Sequence, residues 1–225
     1  MREIVLDTET TGLDPANGDR IVEIGCLELV NHLPSGRQFH KYINPQRDMP
    51  VEAERIHGLS EEFLKLHGLF ADIVDEFQEF IADSPLIIHN ATFDMRFINA
   101  EFALLSREAL PMSRTVDTLQ IARRKFPGAQ ASLDALCRRF GIDNSNRDFH
   151  GALLDSELLA EVYLELIGGR QPGLHLSGLE QKREKSAESG QSQSVRTRRL
   201  HQATPEEEAA HREFVATLKD PVWNS

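Results

Sequence analysis

The sequence predicts an α/β fold, a mixed five-stranded sheet flanked by helices, with a flexible C-terminal tail. Three observations predict it. Runs of β-branched and aliphatic residues come first, close together and separated by turn residues. Helical stripes then alternate with two further short strand signals. From Gln171 to Ala203 the composition turns polar and large apolar residues become few.

Residues 4–6, 20–30 and 39–43 read as three consecutive antiparallel strands. Asp14-Pro15, Asn17-Gly18 and Pro34-Ser35-Gly36 separate them as turns. Over residues 71–83, Ile73, Val74, Phe77, Phe80 and Ile81 fall on one helical stripe, which Pro85 ends. Residues 86–88 follow as a short buried strand, and residues 92–105 as a helix. Residues 115–118 form a strand end, with Asp117 as the cap of whatever helix follows. Residues 132–140 are helical up to Gly141. The last long helix covers residues 151–167 and meets Gly168-Gly169.

This organisation divides the 225 residues into a folded domain, 1–170, a linker, 171–203, and a helical segment, 204–225. The linker is rich in Ser, Gln, Gly and charge and has too few large apolar residues to bury a core. Order is expected to return at Thr204. Thr204 suits an N-cap, Pro205 the first helical position, and Glu206, Glu207 and Glu208 the positive end of the helix dipole. Ala210, Phe214 and Leu218 then recur every four residues. A lone short helix is marginal in water, so this one is expected to dock on a partner.

Formal net charge is -11, which excludes a polyanion binder held by bulk charge. Nucleic acid would have to be held by a local basic patch or by bound cations. Cys26 and Cys137 are far apart, which argues against a disulfide framework and fits a reducing compartment. No N-terminal segment has the form of a signal peptide, and no apolar run reaches spanning length. The expectation is a soluble cytoplasmic protein.

Four acids carry the chemistry. In a strand, residues two apart share a face, so Asp7 and Glu9 project together while Thr8 points away. Two carboxylates this close repel, and something positive belongs between them. Asp94 leads the apolar stripe of Phe97, Ile98, Phe102 and Leu105. Asp155 leads Leu158, Leu159, Val162 and Leu166 in the same way. An acid at the head of a buried stripe serves as a helix cap, an ion-pair partner or a metal ligand. Two such acids beside the strand pair favour a site for hard divalent cations. His150, at the entry to the last helix, is placed to act as a base near neutral pH.

"DTETTG" from Asp7, "HNATFD" ending at Asp94 and "HGALLD" from His150 to Asp155 resemble the three motifs of the DEDDh exonucleases, in order and internal spacing. The resemblance covers about residues 1–168. It implies a ribonuclease H-like fold and 3′-to-5′ removal of nucleotides with two divalent ions, Mg²⁺ or Mn²⁺. It also implies that Asp7, Glu9, Asp94 and Asp155 are metal ligands and His150 the general base. None of the five is substituted, so an active hydrolase is expected. "RIVEIGCLELVN", "IHGLS" and "SLDALCRRFGID" bring the chain closest to the family of epsilon proofreading subunits of bacterial DNA polymerase III. That likeness implies that His57 and Phe93, with Glu9, touch the terminal nucleotide of a single-stranded or frayed 3′ DNA end.

The tail is similar to the same family. Gln171, Leu174 and Leu176 resemble a sliding-clamp-binding peptide, and Phe214, Leu218 and Trp223 the segment that holds the polymerase alpha subunit. Two other readings stay open: a free-standing DEDDh exonuclease acting on RNA ends or short oligonucleotides, and a replisome adaptor without catalysis. The tether and docking helix count against the first, and the complete set of acids against the second.

Overall fold

The computed structural model describes residues 1–145, 149–169 and 204–217. They fall in two units, Met1–Gly173 and Leu174–Ser225.

The first unit opens with β1 (Arg2–Thr10), β2 (Ile21–Val30) and β3 (Leu33–Tyr42), then α1 (Val51–His57), α2 (Glu61–Leu64) and α3 (Phe70–Ile81). β4 (Leu86–Ile88) leads into α4 (Ala91–Leu104), and β5 (Thr115–Asp117) into α5 (Thr118–Lys125). α6 (Leu133–Phe140) and α7 (Ala152–Ile167) complete it. The five strands form one sheet in the order β3-β2-β1-β4-β5. The first three are antiparallel, and β4 and β5 run parallel to β1. The expected mixed sheet is therefore present. Asn31 and His32, both at positive φ, make the tight turn between β2 and β3.

Alternation along β1 sorts the two layers. Ile4 and Leu6 join Phe70 and Phe77 of α3 and Phe97 and Phe102 of α4. Val5 faces the other way, onto Leu159, Ala160 and Tyr163 of α7. Each large side chain buried this way contributes about 1.5–3 kcal/mol. α5 and α6 cover the outer side of α7 through Ala122, Leu136 and Cys137. α7 is thus enclosed on several sides, as its largely apolar sequence requires.

Glycine sets one close approach. A Cβ at Gly25 would lie 2.3 Å from the backbone of Ala152 and Leu153. The first turn of α7 therefore rests directly on β2, at the residue paired with Asp7. The buried Ser156 hydroxyl fixes this seat by donating to the Gly25 carbonyl at 3.0 Å.

Several boundaries differ from the sequence reading. β3 begins at Leu33 and runs through Pro34-Ser35-Gly36, which were expected to form a turn. β3 is an edge strand, where a residue lacking an N–H breaks no ladder bond that must be kept. α1 and α2 have only seven and four residues, too short for a periodic signal. α5 was foreshadowed only by its cap: the Asp117 carboxylate accepts from the backbone of Leu119 and Gln120.

In the second unit α8 (Pro205–Ala216) begins as expected. Thr204 accepts from the Glu207 amide at 3.3 Å, and Glu207 accepts from the Thr204 amide at 2.8 Å. Phe214 is 60% exposed and Val215 is buried. No helix among the described residues is long and apolar enough to cross a membrane.

Candidate active site

A cavity of about 470 Å³ opens at the C-terminal end of β1, where Asp7, Thr8 and Glu9 form part of its wall. His89 and Asn90, just past β4, line it as well. Ligands of open α/β sheets sit at strand ends of this kind. α4 contributes Phe93 and Asp94, and the entry and first turn of α7 contribute His150 and Asp155. All four acids singled out in the sequence, together with His150, border this one space.

The layers explain how they arrive. Asp7 and Glu9 continue the face of Val5, toward α7. There Glu9, His150 and Asp155 each offer a ligand atom, and these atoms lie within 4.8 Å of one another. His150 Nδ1 is 3.4 Å from Asp155 Oδ2. The His150 backbone is held from the other side, its N–H donating to the Ile56 carbonyl of α1 at 2.9 Å. Asp155 is buried, and its amide donates to the Gly151 carbonyl at 2.8 Å as α7 begins.

Asp94 reaches the cavity from the opposite layer. Thr8 does point away from Asp7 and Glu9, and in doing so it meets α4. Its hydroxyl donates to Asp94 Oδ1 at 2.7 Å. Asp94 is only 3% exposed. Burial pushes its pKa up to about 7, against the pull of the Thr8 hydrogen bond, with the Asp117 charge adding to the rise. A cation beside it would restore the ionised form.

The turns around the cavity are tied together. Asn90, at φ 66, starts α4, and its amide donates to Asp117 at 3.2 Å. His89 Nδ1 lies 2.9 Å from the Thr118 hydroxyl. Near Glu9 stands one more acid, which the sequence reading passed over. Glu23 pairs with Glu9 across β1 and β2, is buried, and lies 2.7 Å from His40 Nε2. With oxygen donors and one imidazole around a crowded negative wall, the site fits a hard divalent cation.

Of the residues expected at the substrate end, Phe93 borders the cavity and packs on Phe97 with ring centroids 5.0 Å apart. His57 is buried at the end of α1 and is not among the lining residues. Its Nδ1 accepts from the Leu59 amide at 3.0 Å. Burial lowers its pKa, and the Glu23 charge opposes that. Gln171, Leu174, Leu176, Leu218 and Trp223 lie outside the described residues. Thr8, Gly25 and Ser156 were missed as parts of the site. Only Thr8 carried a signal, through its place between two acids on a strand.

The family model for the Exonuclease (RNase_T) domain matches residues 4–163. The DNA polymerase III subunit epsilon of Rickettsia conorii is 62% identical over 174 residues, 76% of each chain. That of Rickettsia felis is 51% identical over 228 residues, 97% of each chain. Among solved structures, the nuclease domain of 3′hExo, a DEDDh family member bound to rAMP, shares the fold. Its TM-score is 0.65 at 17% identity, over 74% of this chain and 91% of that one. On these matches and the three motifs that converge on one cavity, the chain belongs to the DEDDh exonuclease family, together with the epsilon subunits of DNA polymerase III.

Proposed function

We propose that this chain is the proofreading 3′-to-5′ exonuclease subunit of a bacterial DNA polymerase III, hydrolysing mismatched 3′-terminal nucleotides from DNA in the cytoplasm. The observation that carries this is the convergence of Glu9, His150 and Asp155 within 4.8 Å at the end of β1. Membership of the family implies dependence on divalent metal. Two Mg²⁺ or Mn²⁺ ions are assigned to Asp7, Glu9, Asp94 and Asp155. When bound they supply charge neutralisation for the phosphate and a lowered pKa for water.

The chain's own groups do the rest. His150 has Nδ1 turned toward Asp155, so Nε2 is the nitrogen that takes the proton of the attacking water. Asp155 keeps the ring oriented. Phe93 offers an aromatic face to the terminal nucleotide, with Glu9 beside it; His57, buried behind the lining, is assigned to the same nucleotide on the family resemblance alone. A frayed or mismatched end enters more readily than a paired one, because less pairing must be broken.

The tail provides the address. Gln171, Leu174 and Leu176 are assigned to a sliding clamp, and Phe214, Leu218 and Trp223 to the polymerase alpha subunit. Support comes from the Rickettsia felis epsilon subunit, whose similarity runs through the tail as well as the exonuclease unit. It favours a polymerase subunit over a free-standing nuclease.

A labelled primer with a 3′ mismatch, incubated with the purified chain and Mg²⁺ or Mn²⁺, tests the chemistry. Wild type should shorten it. Asp7→Ala should abolish shortening, and His150→Ala should slow it roughly 10²–10⁴-fold. An intact primer with wild type, or full activity in Asp7→Ala, overturns the proposal. Truncation before Thr204 should abolish co-purification with alpha. Retention would remove the docking assignment.

A further inference from the structure

α5 ends in three cations, Arg123, Arg124 and Lys125. Such a run complements the negative end of a helix dipole and needs no other reason to exist. Lys125 serves the fold: its Nζ donates to the carbonyls of Glu165 at 3.0 Å and Leu166 at 2.9 Å, tying α5 to the end of α7. Arg123 differs in two respects. It lines the active-site cavity, one turn after Leu119 on the same face of α5. It also forms no hydrogen bond or ion pair with any of the described residues.

That second fact stands out against its surroundings. The same cavity is lined by Asp7, Glu9, Asp94, Asp134 and Asp155. A guanidinium among so many carboxylates would ordinarily fork onto one of them. Asp134 instead accepts from Asn144 at 3.1 Å. Asp94 takes the Thr8 hydroxyl, and Asp155 faces His150. The positive charge of Arg123 is still felt locally. Burial chiefly lowers the pKa of His89, and Arg123 pushes in the same direction. His89 and Arg123 belong to the β4–β5 side of the cavity, whereas Glu9, His150 and Asp155 belong to the β1–α7 side.

We propose that Arg123 binds a backbone phosphate of the single strand, the one next to the phosphate held at the carboxylates, and so sets the register of the 3′ end. This rests on the exonuclease reading and refines it. Metal ions reverse the sign of the site only where the acids converge. A strand entering the rest of an acidic cavity needs its own cation, and arginine suits phosphate through its planar fork of donors. The contact is made to the backbone, so it applies to any terminal base, correct or mismatched.

Two substrates separate this role from a general one. The p-nitrophenyl ester of thymidine 5′-monophosphate has a single phosphodiester, whereas an unpaired oligonucleotide has a second phosphate within reach. Arg123→Ala should raise the ratio of oligonucleotide KM to ester KM about tenfold, the range of a charged hydrogen bond. The slope of log affinity against log salt for the oligonucleotide should become shallower by about 0.7. Arg123→Lys should recover most of that slope, since it keeps the charge, but only part of the KM. A KM ratio within about twofold of wild type, or an equal fall of kcat on both substrates, overturns the proposal. Wild type that cleaves neither substrate removes the exonuclease reading itself.

Discussion

Gly25→Ala adds one methyl group at a residue that is neither one of the four acids nor His150, and should nevertheless disable the site. The new Cβ would lie 2.3 Å from the Ala152 carbonyl carbon and the Leu153 nitrogen. These are backbone atoms in the first turn of α7 and cannot swing aside as a side chain would. Ordinary carbon contact starts near 3.5 Å, so α7 must retreat by about 1 Å. The retreat stretches the buried 3.0 Å bond from Ser156 to the Gly25 carbonyl. Overpacking of this kind costs about 1–3 kcal/mol. It also carries Asp155 and His150 away from Glu9, in a group of ligand atoms now within 4.8 Å. A shift of about 1 Å in such a constellation lowers turnover roughly 100-fold. The assay pairs exonuclease rate on an unpaired oligonucleotide with thermal unfolding and Mn²⁺ calorimetry. The variant should be folded, a few degrees less stable, weaker in Mn²⁺ binding and about 100-fold slower. Wild-type rate and metal affinity in Gly25→Ala would show that α7 is not held in place by contact at this residue.

Thr8→Val keeps the volume of the side chain and removes the 2.7 Å bond to Asp94. A charged hydrogen bond of about 1.5–3 kcal/mol is lost from the ionised form, so Mn²⁺ affinity measured by calorimetry should fall roughly 10–100-fold; unchanged affinity would show that Thr8 does not support Asp94. Asp94 also makes stability depend on pH in chelator-treated protein. Its folded pKa is about 7, well above that of an unfolded aspartate, so between the two the folded state binds the extra proton. Stability from this group is therefore present at low pH and lost as pH rises toward 7, by up to about 4 kcal/mol. Urea titrations in EDTA at pH 5 and pH 8 should show a loss in wild type that Asp94→Asn lacks; equal losses in both would refute it.

Much of this molecule was legible from local pattern. The stripe of Ile73, Val74, Phe77, Phe80 and Ile81, the short run Leu86 to Ile88 and the cap at Thr204 each depend on neighbours a few residues away. So did the head positions of Asp94 and Asp155, which followed from the buried stripes behind them. Helices of seven and four residues have too few turns for a stripe, so α1 and α2 left no mark. Pro34 to Gly36 read as a turn because their permissiveness as an edge strand depends on having one neighbour, β2, and not two.

By itself the sequence determined which acids the site contains and that they head buried elements, because residue identity and periodicity are properties of the chain alone. Only the tertiary structure decided that Thr8, facing away from its two acidic neighbours, would hold the third acid from the opposite layer. It also decided that a bare glycine on β2 would let α7 bring Asp155 and His150 up to Glu9. The physical reason is distance along the chain. Ser156 and Gly25 are 131 residues apart, and their approach is fixed by the burial of both sheet faces, which no local spacing encodes.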